Sequence, residues 1–111
     1  MNALNDEQMR RYARQLVLPE LGEEGQRKLL SACVVVVGMG GLGSASAAAL
    51  AAAGVGHLVL VDADRVDLSN LQRQTLYETA DIGQIKVHAA EARLSELNPA
   101  CRITTVAERF D

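Results

Sequence analysis

Apolar and polar positions along the chain fall into blocks of different period. Met9, Tyr12 and Leu16 recur at i, i+3 and i+7 behind Asn5 and Gln8, which read as a capping box. They predict an amphipathic helix over about Asp6–Val17, ended by Pro19, and Gly22–Leu30 predicts a second, shorter helix. Next comes Cys33-Val34-Val35-Val36-Val37, a β-branched run that fits a parallel strand covered on both faces. Gly43 to Ala53 holds seven alanines and one leucine, which predicts a helix thin enough to lie close against a sheet. Leu58–Val61 predicts a second strand, closed by Asp62. Ala63–Gln74 then has no period and is dense in polar groups; a connection of that length in an α/β domain is uncommon unless it is functional or disordered, and its leucines and valine argue against disorder. From Lys86, Val87, Ala90, Leu94 and Leu97 repeat at helical spacing with His88, Glu91 and Ser95 opposite, and Asn98-Pro99 stops the helix. Ile103–Val106 predicts the third strand.

The order of elements, two helices and then βα-β-(long loop)-α-β, predicts an α/β fold: the N-terminal half of a Rossmann-like, doubly wound and mostly parallel sheet. A sheet of this kind that stops after three strands has an uncovered growing edge. The chain is therefore expected to be the front portion of a larger domain and inactive by itself.

Between the first strand and its helix, Gly38-x-Gly40-x-x-Gly43 matches the dinucleotide fingerprint, and Asp62 follows Gly43 by 19 positions. Glycines let the backbone adopt positive φ and approach a ligand closely. The helix start beyond them offers unpaired N–H groups and a positive dipole end to a phosphate, and an acid at that spacing can hold a ribose hydroxyl. The competing account is a tight strand-to-helix connection without a ligand. On this reading residues 1–31 form a helical extension and residues 32–111 the nucleotide-binding βαβ region of one domain.

Composition narrows the field. A net charge of −3 and a pI near 5.3 give no basic footprint, against nucleic acid or an anionic membrane as the main partner. No apolar run approaches the ~20 residues of a spanning helix, and the N-terminus lacks the basic and apolar regions of a signal peptide, so a cytoplasmic setting is expected. Cys33 and Cys101 have no paired spacing and read as buried small hydrophobes. His57 and His88 match no metal-ligand spacing and read as surface or loop positions.

Arg11-Tyr12-x-Arg14-Gln15, Gly38-x-Gly40-Gly41-Leu42-Gly43, Asp62-x-Asp64-x-Val66-x-x-Ser69-Asn70-Leu71-x-Arg73-Gln74 and Gly83-x-x-Lys86 together resemble the ThiF/MoeB/HesA family, bacterial relatives of the ubiquitin-activating enzymes. The resemblance covers essentially the whole chain and about the first half of a family member. It implies an adenylyltransferase that binds ATP with Mg2+ and adenylates the C-terminal glycine carboxylate of a ubiquitin-like sulfur-carrier protein, of the thiamin or molybdenum cofactor pathway. It also implies a homodimer. Gly41 with its neighbours Gly38, Gly40 and Gly43 would lie under the phosphates, Asp62 would take the ribose hydroxyls, and Asp64 would sit close by. Asn70, Arg73 and Lys86 would face the phosphates, and Arg14 would reach the nucleotide of a neighbouring subunit. The catalytic set implied is Arg14, Arg73 and Lys86. The family's magnesium-binding aspartate and its zinc-binding cysteine pairs would lie beyond Asp111, so zinc enters only through residues outside these 111.

The chemistry accounts for these residue types independently. A carboxylate attacking an α-phosphate brings an anion to a polyanion while charge gathers on departing pyrophosphate, so fixed positive charge is required. Arg73 supplies a planar fork and Lys86 a point charge, and a protein nucleophile is unnecessary because the substrate carboxylate is already ionised. Plainer accounts compete: Asp62 capping a loop, Arg73 paired with Asp64 or Asp67, Lys86 opening a helix on the solvent face. Arg65, Asp67, Gln72 and Gln74 read equally as loop-shaping groups. Two other functions share the glycine fingerprint or the fold: an NAD(P)-dependent oxidoreductase domain, and a non-catalytic module that docks a ubiquitin-like protein or dimerises.

Overall fold

A computed structural model describes residues 4–18, 21–72 and 74–109. In chain order the described residues form α1 (Asp6–Arg11), α2 (Ala13–Leu16), α3 (Gly22–Ser31), β1 (Cys33–Val37), α4 (Gly41–Ala53), β2 (His57–Val61), α5 (Lys86–Leu97) and β3 (Arg102–Val106), with short 3-10 turns at Leu68–Asn70 and Thr79–Asp81. The strands are parallel in the order β1-β2-β3, with Val35 opposite Val59 and Val59 opposite Thr104. This is the Rossmann-like α/β arrangement that the order of elements predicts. No helix among the described residues is long and apolar enough to cross a membrane.

Both crossovers step the same way across the sheet, and right-handed connections then carry both helices to one face. On that face Val36, Leu58 and Leu60 pack with Ala47 and Ala51 of α4 and Val87, Ala90 and Leu94 of α5. The alanines keep the helices close to the strands. The opposite face is open, with Val35 58% and Val37 52% exposed. The expectation that β1 is covered on both faces is therefore corrected: its run is apolar on both sides, but α4 and α5 cover only one. Cys33 lies on the open face and is exposed, contrary to expectation, whereas Cys101 is buried. Cys33 begins a cross-strand row with His57 and Arg102. His57 Nδ1 lies 3.5 Å from the Cys33 sulfur and 3.1 Å from an Arg102 nitrogen, and its Nε2 lies 2.7 Å from the Thr104 hydroxyl. His57 is thus part of the sheet and not of a loop.

The Asn5–Gln8 capping box is present, with both reciprocal hydrogen bonds at 2.8–2.9 Å. The continuous helix expected to Val17 is instead two pieces, broken at Tyr12, whose ψ is 16°. Tertiary packing overrides the helical period here. Tyr12 is 1% exposed and its hydroxyl accepts from the Asn98 side-chain amide at 2.9 Å, so the backbone turns to deliver the ring while Met9, expected on the buried stripe, remains 46% exposed. Arg10, Arg11 and Arg14 are exposed, and Arg11 pairs with Glu7 at 3.4 Å. The helix stop expected at Pro19 lies outside the described residues.

A buried polar latch fastens this extension to the far end of α4. Asn98 also donates to the Ala51 carbonyl at 2.8 Å, and Gln26 and Gln15 donate to the Ala53 carbonyl at 2.8 and 3.1 Å. These carbonyls are the ones a helix C-terminus leaves without partners. Gly54 completes the cap at φ +99°, where a Cβ would fall 2.4 Å from Gln26 Nε2. Replacing Asn98 with alanine removes the amide that bonds the buried Tyr12 phenol and leaves the Ala51 carbonyl with the Gly54 N–H at 3.1 Å. We expect Asn98→Ala to lower stability by about 1–3 kcal/mol in urea unfolding; an unchanged midpoint would show that the latch contributes nothing.

Candidate functional site

The C-terminal ends of the strands carry the groups singled out in the sequence. After β1 the chain reverses at Gly38, φ +88°, whose N–H donates to the Val61 carbonyl at 2.8 Å. The turn then folds back on itself so tightly that a Cβ on Gly43 would lie 1.7 Å from the Gly38 carbonyl oxygen. Close approach dictates the last glycine of the fingerprint. α4 begins at Gly41, two residues before the expected start at Gly43, so the later glycines belong to its first turn. The helix has no side-chain N-cap. Its first backbone bond runs from Ser44 N–H to the Gly40 carbonyl, and among the described residues the N–H groups of Gly40, Gly41, Leu42 and Gly43 find no acceptor. Four open donors at the positive end of a 13-residue helix are suited to a phosphate.

Met39, between the glycines, is held from both sides. Its N–H donates to Asp62 Oδ2 at 2.6 Å, and its carbonyl accepts from the Tyr77 hydroxyl at 2.6 Å. Its side chain is fully buried in the core. Burial first, and then the negative charges of Asp62 and Asp81, push the Tyr77 phenol above its ordinary value, so it remains a donor. The other Asp62 oxygen accepts the Asp64 N–H at 2.8 Å, and the Asp64 carbonyl accepts the Lys86 N–H at 2.8 Å. A continuous set of hydrogen bonds, from backbone N–H groups to the Asp62 carboxylate and the Asp64 carbonyl, therefore runs from the glycine turn to the first residue of α5.

Lys86 is only 7% exposed. The solvent-face account of this residue is thus contradicted. Among the described residues its ammonium takes part in no ion pair.

The polar connection is shaped by its few apolar groups. Val66 is buried, Leu71 and Leu76 pack on the core, and Val66 exchanges backbone bonds with Gln84 and Gly83, both at 2.8 Å. Arg65 donates to the Gly83 carbonyl at 2.7 Å, a loop-shaping role. Asp67 caps the 3-10 turn, accepting from the Ser69 N–H at 3.0 Å and its hydroxyl at 3.1 Å, and Asn70 Oδ1 accepts the Asp67 N–H at 2.9 Å. The Ser69 N–H, then its hydroxyl, and to a lesser degree the charge of Lys86 hold the Asp67 carboxyl below its ordinary value. Arg93 of α5 fastens the following turn, 3.0 Å from Glu78 and 3.2 Å from Asp81.

Of the predicted site residues, Gly38, Gly40, Gly41, Gly43, Asp62, Asp64 and Lys86 meet at this edge. Asn70 is joined to it through Gln74, whose N–H donates to the Asn70 carbonyl at 2.8 Å and whose side chain is buried against Gly40. Arg73 lies outside the described residues. Arg14 does not join the group. Its neighbour Gln15 is fastened to Ala53, at the opposite end of α4 from the turn, about 20 Å away at 1.5 Å per residue.

Sequence reasoning missed Tyr77, Glu108 and Arg109. The last two line a cavity of about 270 Å³ with Gly38, Asp62 and Asp64. Tyr77 carried a usable signal, one of three aromatic residues in the chain and set in a polar connection; residues 108 and 109 follow the third strand with no motif of their own.

Two measurements test this geometry. Gly43→Ala drives a Cβ into a backbone carbonyl, and we expect it to cost on the order of 1–3 kcal/mol and to displace the amide resonances of residues 38–43; an unperturbed spectrum would contradict the close approach. The Asp67 cap is complete above the ordinary pKa of 3.8 and lost as pH falls through the lower folded value. The Ser69 amide should therefore titrate with a midpoint below 3.8, and Asp67→Asn should abolish that titration; a midpoint at or above 3.8 would show that the cap is not formed.

Comparison with known proteins places this site in context. Residues 12–111 match the model of the ThiF family. The chain is 52% identical over 104 residues to the sulfur carrier protein adenylyltransferase of Thermus thermophilus, covering 94% of this chain and 38% of that protein. It is 50% identical over 111 residues to the molybdopterin-synthase adenylyltransferase of Salmonella typhimurium, covering 100% of this chain and 45% of that protein. The chain thus spans less than half the length of these relatives. Among solved structures, tRNA N6-threonylcarbamoyladenosine dehydratase of Escherichia coli in complex with ATP superposes with a TM-score of 0.89 at 32% identity, over 97% of this chain and 44% of that one. With its glycine turn, helix start, strand-end acid and buried lysine at one sheet edge, the chain belongs to the ThiF family.

Proposed function

We propose that this chain supplies the nucleotide-binding part of an ATP-dependent adenylyltransferase, residues 1–31 forming a helical extension and residues 32–111 the nucleotide-binding region. The substrate proposed is the C-terminal glycine carboxylate of a ubiquitin-like sulfur-carrier protein in a cytoplasmic setting. The observation that carries this reading is Lys86: a largely buried residue whose N–H bonds the Asp64 carbonyl and, through Asp64, is joined to Asp62 and the glycine turn. Such an arrangement fits a polyphosphate, because N–H donors with no acceptor and a cation in no ion pair among the described residues each gain from an anion. The names of the relatives support the same reaction, and both are adenylyltransferases.

In this reading the carrier's carboxylate attacks the α-phosphorus of ATP, the bond to the bridging oxygen breaks, and pyrophosphate leaves with the electron pair. Gly40–Gly43 N–H groups and Lys86 hold the phosphate oxygens as charge builds, and Asp62, already oriented by two N–H groups, accepts from the ribose hydroxyls. Asn70 and Arg73 are proposed to join Lys86. Mg2+ is proposed to enter with the nucleotide as counter-ion to its phosphates. No group of three or more His, Cys, Asp or Glu among the described residues could hold a metal ion, so these residues do not fit a zinc site. Arg14, a helix length from its own turn, is proposed to serve the nucleotide of a second copy in a homodimer.

The test is ATP–pyrophosphate exchange by the protein as its gene encodes it, with a sulfur carrier present. Lys86→Ala should reduce exchange on the order of 100-fold or more with little change in thermal midpoint, since removing one preorganised donor costs about that much. Exchange at the unsubstituted rate, or binding of NAD in preference to ATP, would overturn the proposal.

A further inference from the structure

A cluster of reactive side chains lies away from the glycine turn, at the N-terminal ends of the strands on the face that α4 and α5 leave open. Cys33, His57 and Arg102 stand side by side there, one from each strand in a single register row. Alternation along the strands fills the rest of that face with valines and Thr104. The row therefore holds every ionisable group that the described strands present on it. Val37, where the glycine turn begins, is about 13 Å along β1 from Cys33 at ~3.3 Å per residue.

Hydrogen bonding decides which imidazole nitrogen can take a proton. Nδ1 of His57 lies 3.1 Å from an Arg102 nitrogen, and a guanidinium only donates, so Nδ1 is an acceptor. In the neutral ring the proton then sits on Nε2, which donates to the Thr104 hydroxyl at 2.7 Å. The Cys33 thiol, 3.5 Å from Nδ1, donates toward the same acceptor. A nucleophile, a base within hydrogen-bond reach and a third group that orients the base together form the arrangement by which a thiol is activated. Cys33 is exposed, whereas Cys101 is buried and burial pushes its thiol up. Arg102 is exposed as well and joins no ion pair among the described residues, so a carboxylate can approach it beside the sulfur.

We propose that Cys33 is a site of thiol–disulfide exchange with small disulfides that carry carboxylates, His57 taking the thiol proton and Arg102 holding a carboxylate of the incoming molecule. The thiol proton passes to His57 Nδ1, and the thiolate attacks one sulfur of the disulfide. An S–S bond to Cys33 forms as the original one breaks, and the departing sulfur leaves with the electron pair and takes the proton from Nδ1. Cys33 is oxidised and the departing sulfur is reduced. A second thiol reverses the exchange. The site is independent of the ATP reading, because it stands at the opposite ends of the strands.

The experiment is intact-mass kinetics on the protein as its gene encodes it, treated with oxidised glutathione and, separately, with cystamine, which carries ammonium groups and no carboxylate. An unstructured peptide bearing one cysteine gives the reference rate for each. Relative to that peptide, Cys33 should react with oxidised glutathione on the order of 10-fold faster, since a free thiol at neutral pH is only a few per cent ionised. The margin with cystamine should be about 5-fold smaller, as pairing between exposed charges allows. His57→Asn should bring both rates near the peptide's, Arg102→Gln should remove the preference between reagents, and Cys33→Ser should abolish the rapid adduct with ATP–pyrophosphate exchange unchanged. A Cys33 rate at or below the peptide's, equal margins for the two reagents, or no effect of His57→Asn would each overturn the assignment and leave the ATP reading intact. The comparison of reagents uses the unsubstituted protein, so it decides even where a variant fails to fold.

Discussion

The close return of the chain on itself between Gly38 and Gly43 is the constraint on which the rest depends. With the last glycine packed on the first one's carbonyl, there is room for no side chain between them, and the residue in the middle, Met39, is clamped at its N–H by Asp62 and at its carbonyl by Tyr77. Two consequences follow. Among the described residues the helix that starts there keeps four N–H groups open, because neither a side-chain cap nor the turn itself occupies them. The acid that clamps the turn also receives the Asp64 N–H, which carries the same alignment across β2 to the start of α5. Preorganisation at this edge therefore belongs to backbone groups held by the Asp62 carboxylate and the Tyr77 hydroxyl, fixed by folding before any ligand arrives.

Charge divides the edge into two regions. Among the described residues, the helix side has donors and the buried Lys86, and the cavity side has carboxylates with a single guanidinium. A nucleotide, anionic at one end and neutral with hydroxyls and a ring at the other, matches that division. A uniform basic patch would hold a polyanion equally well in any orientation. The separation of sign along about 10 Å of strand ends gives the ligand a direction.

Much of this was legible in the sequence, and the misses have physical causes. The period-based elements were right in kind because each has its own apolar pattern, and the capping box at Asn5 and the stop at Asn98 act locally. The break at Tyr12 was not visible: the i, i+3, i+7 spacing is helical, but burial of one ring against Asn98 is a long-range demand. The valines of β1 announced two apolar faces and could not say which one the helices would cover. Lys86 could be placed at a helix start, yet its burial is a matter of tertiary packing that the local pattern does not report. Glu108 and Arg109 had no motif, and only the sheet order brings them beside Asp62.

The most direct test of this account is the structure of the protein, as its gene encodes it, with ATP bound. The account predicts the Lys86 Nζ about 2.7–2.9 Å from a phosphate oxygen, with the Met39 N–H still on Asp62 and the ribose beside that carboxylate. A triphosphate seated among Asp64 and Glu108, with Lys86 contacting no phosphate, would contradict it.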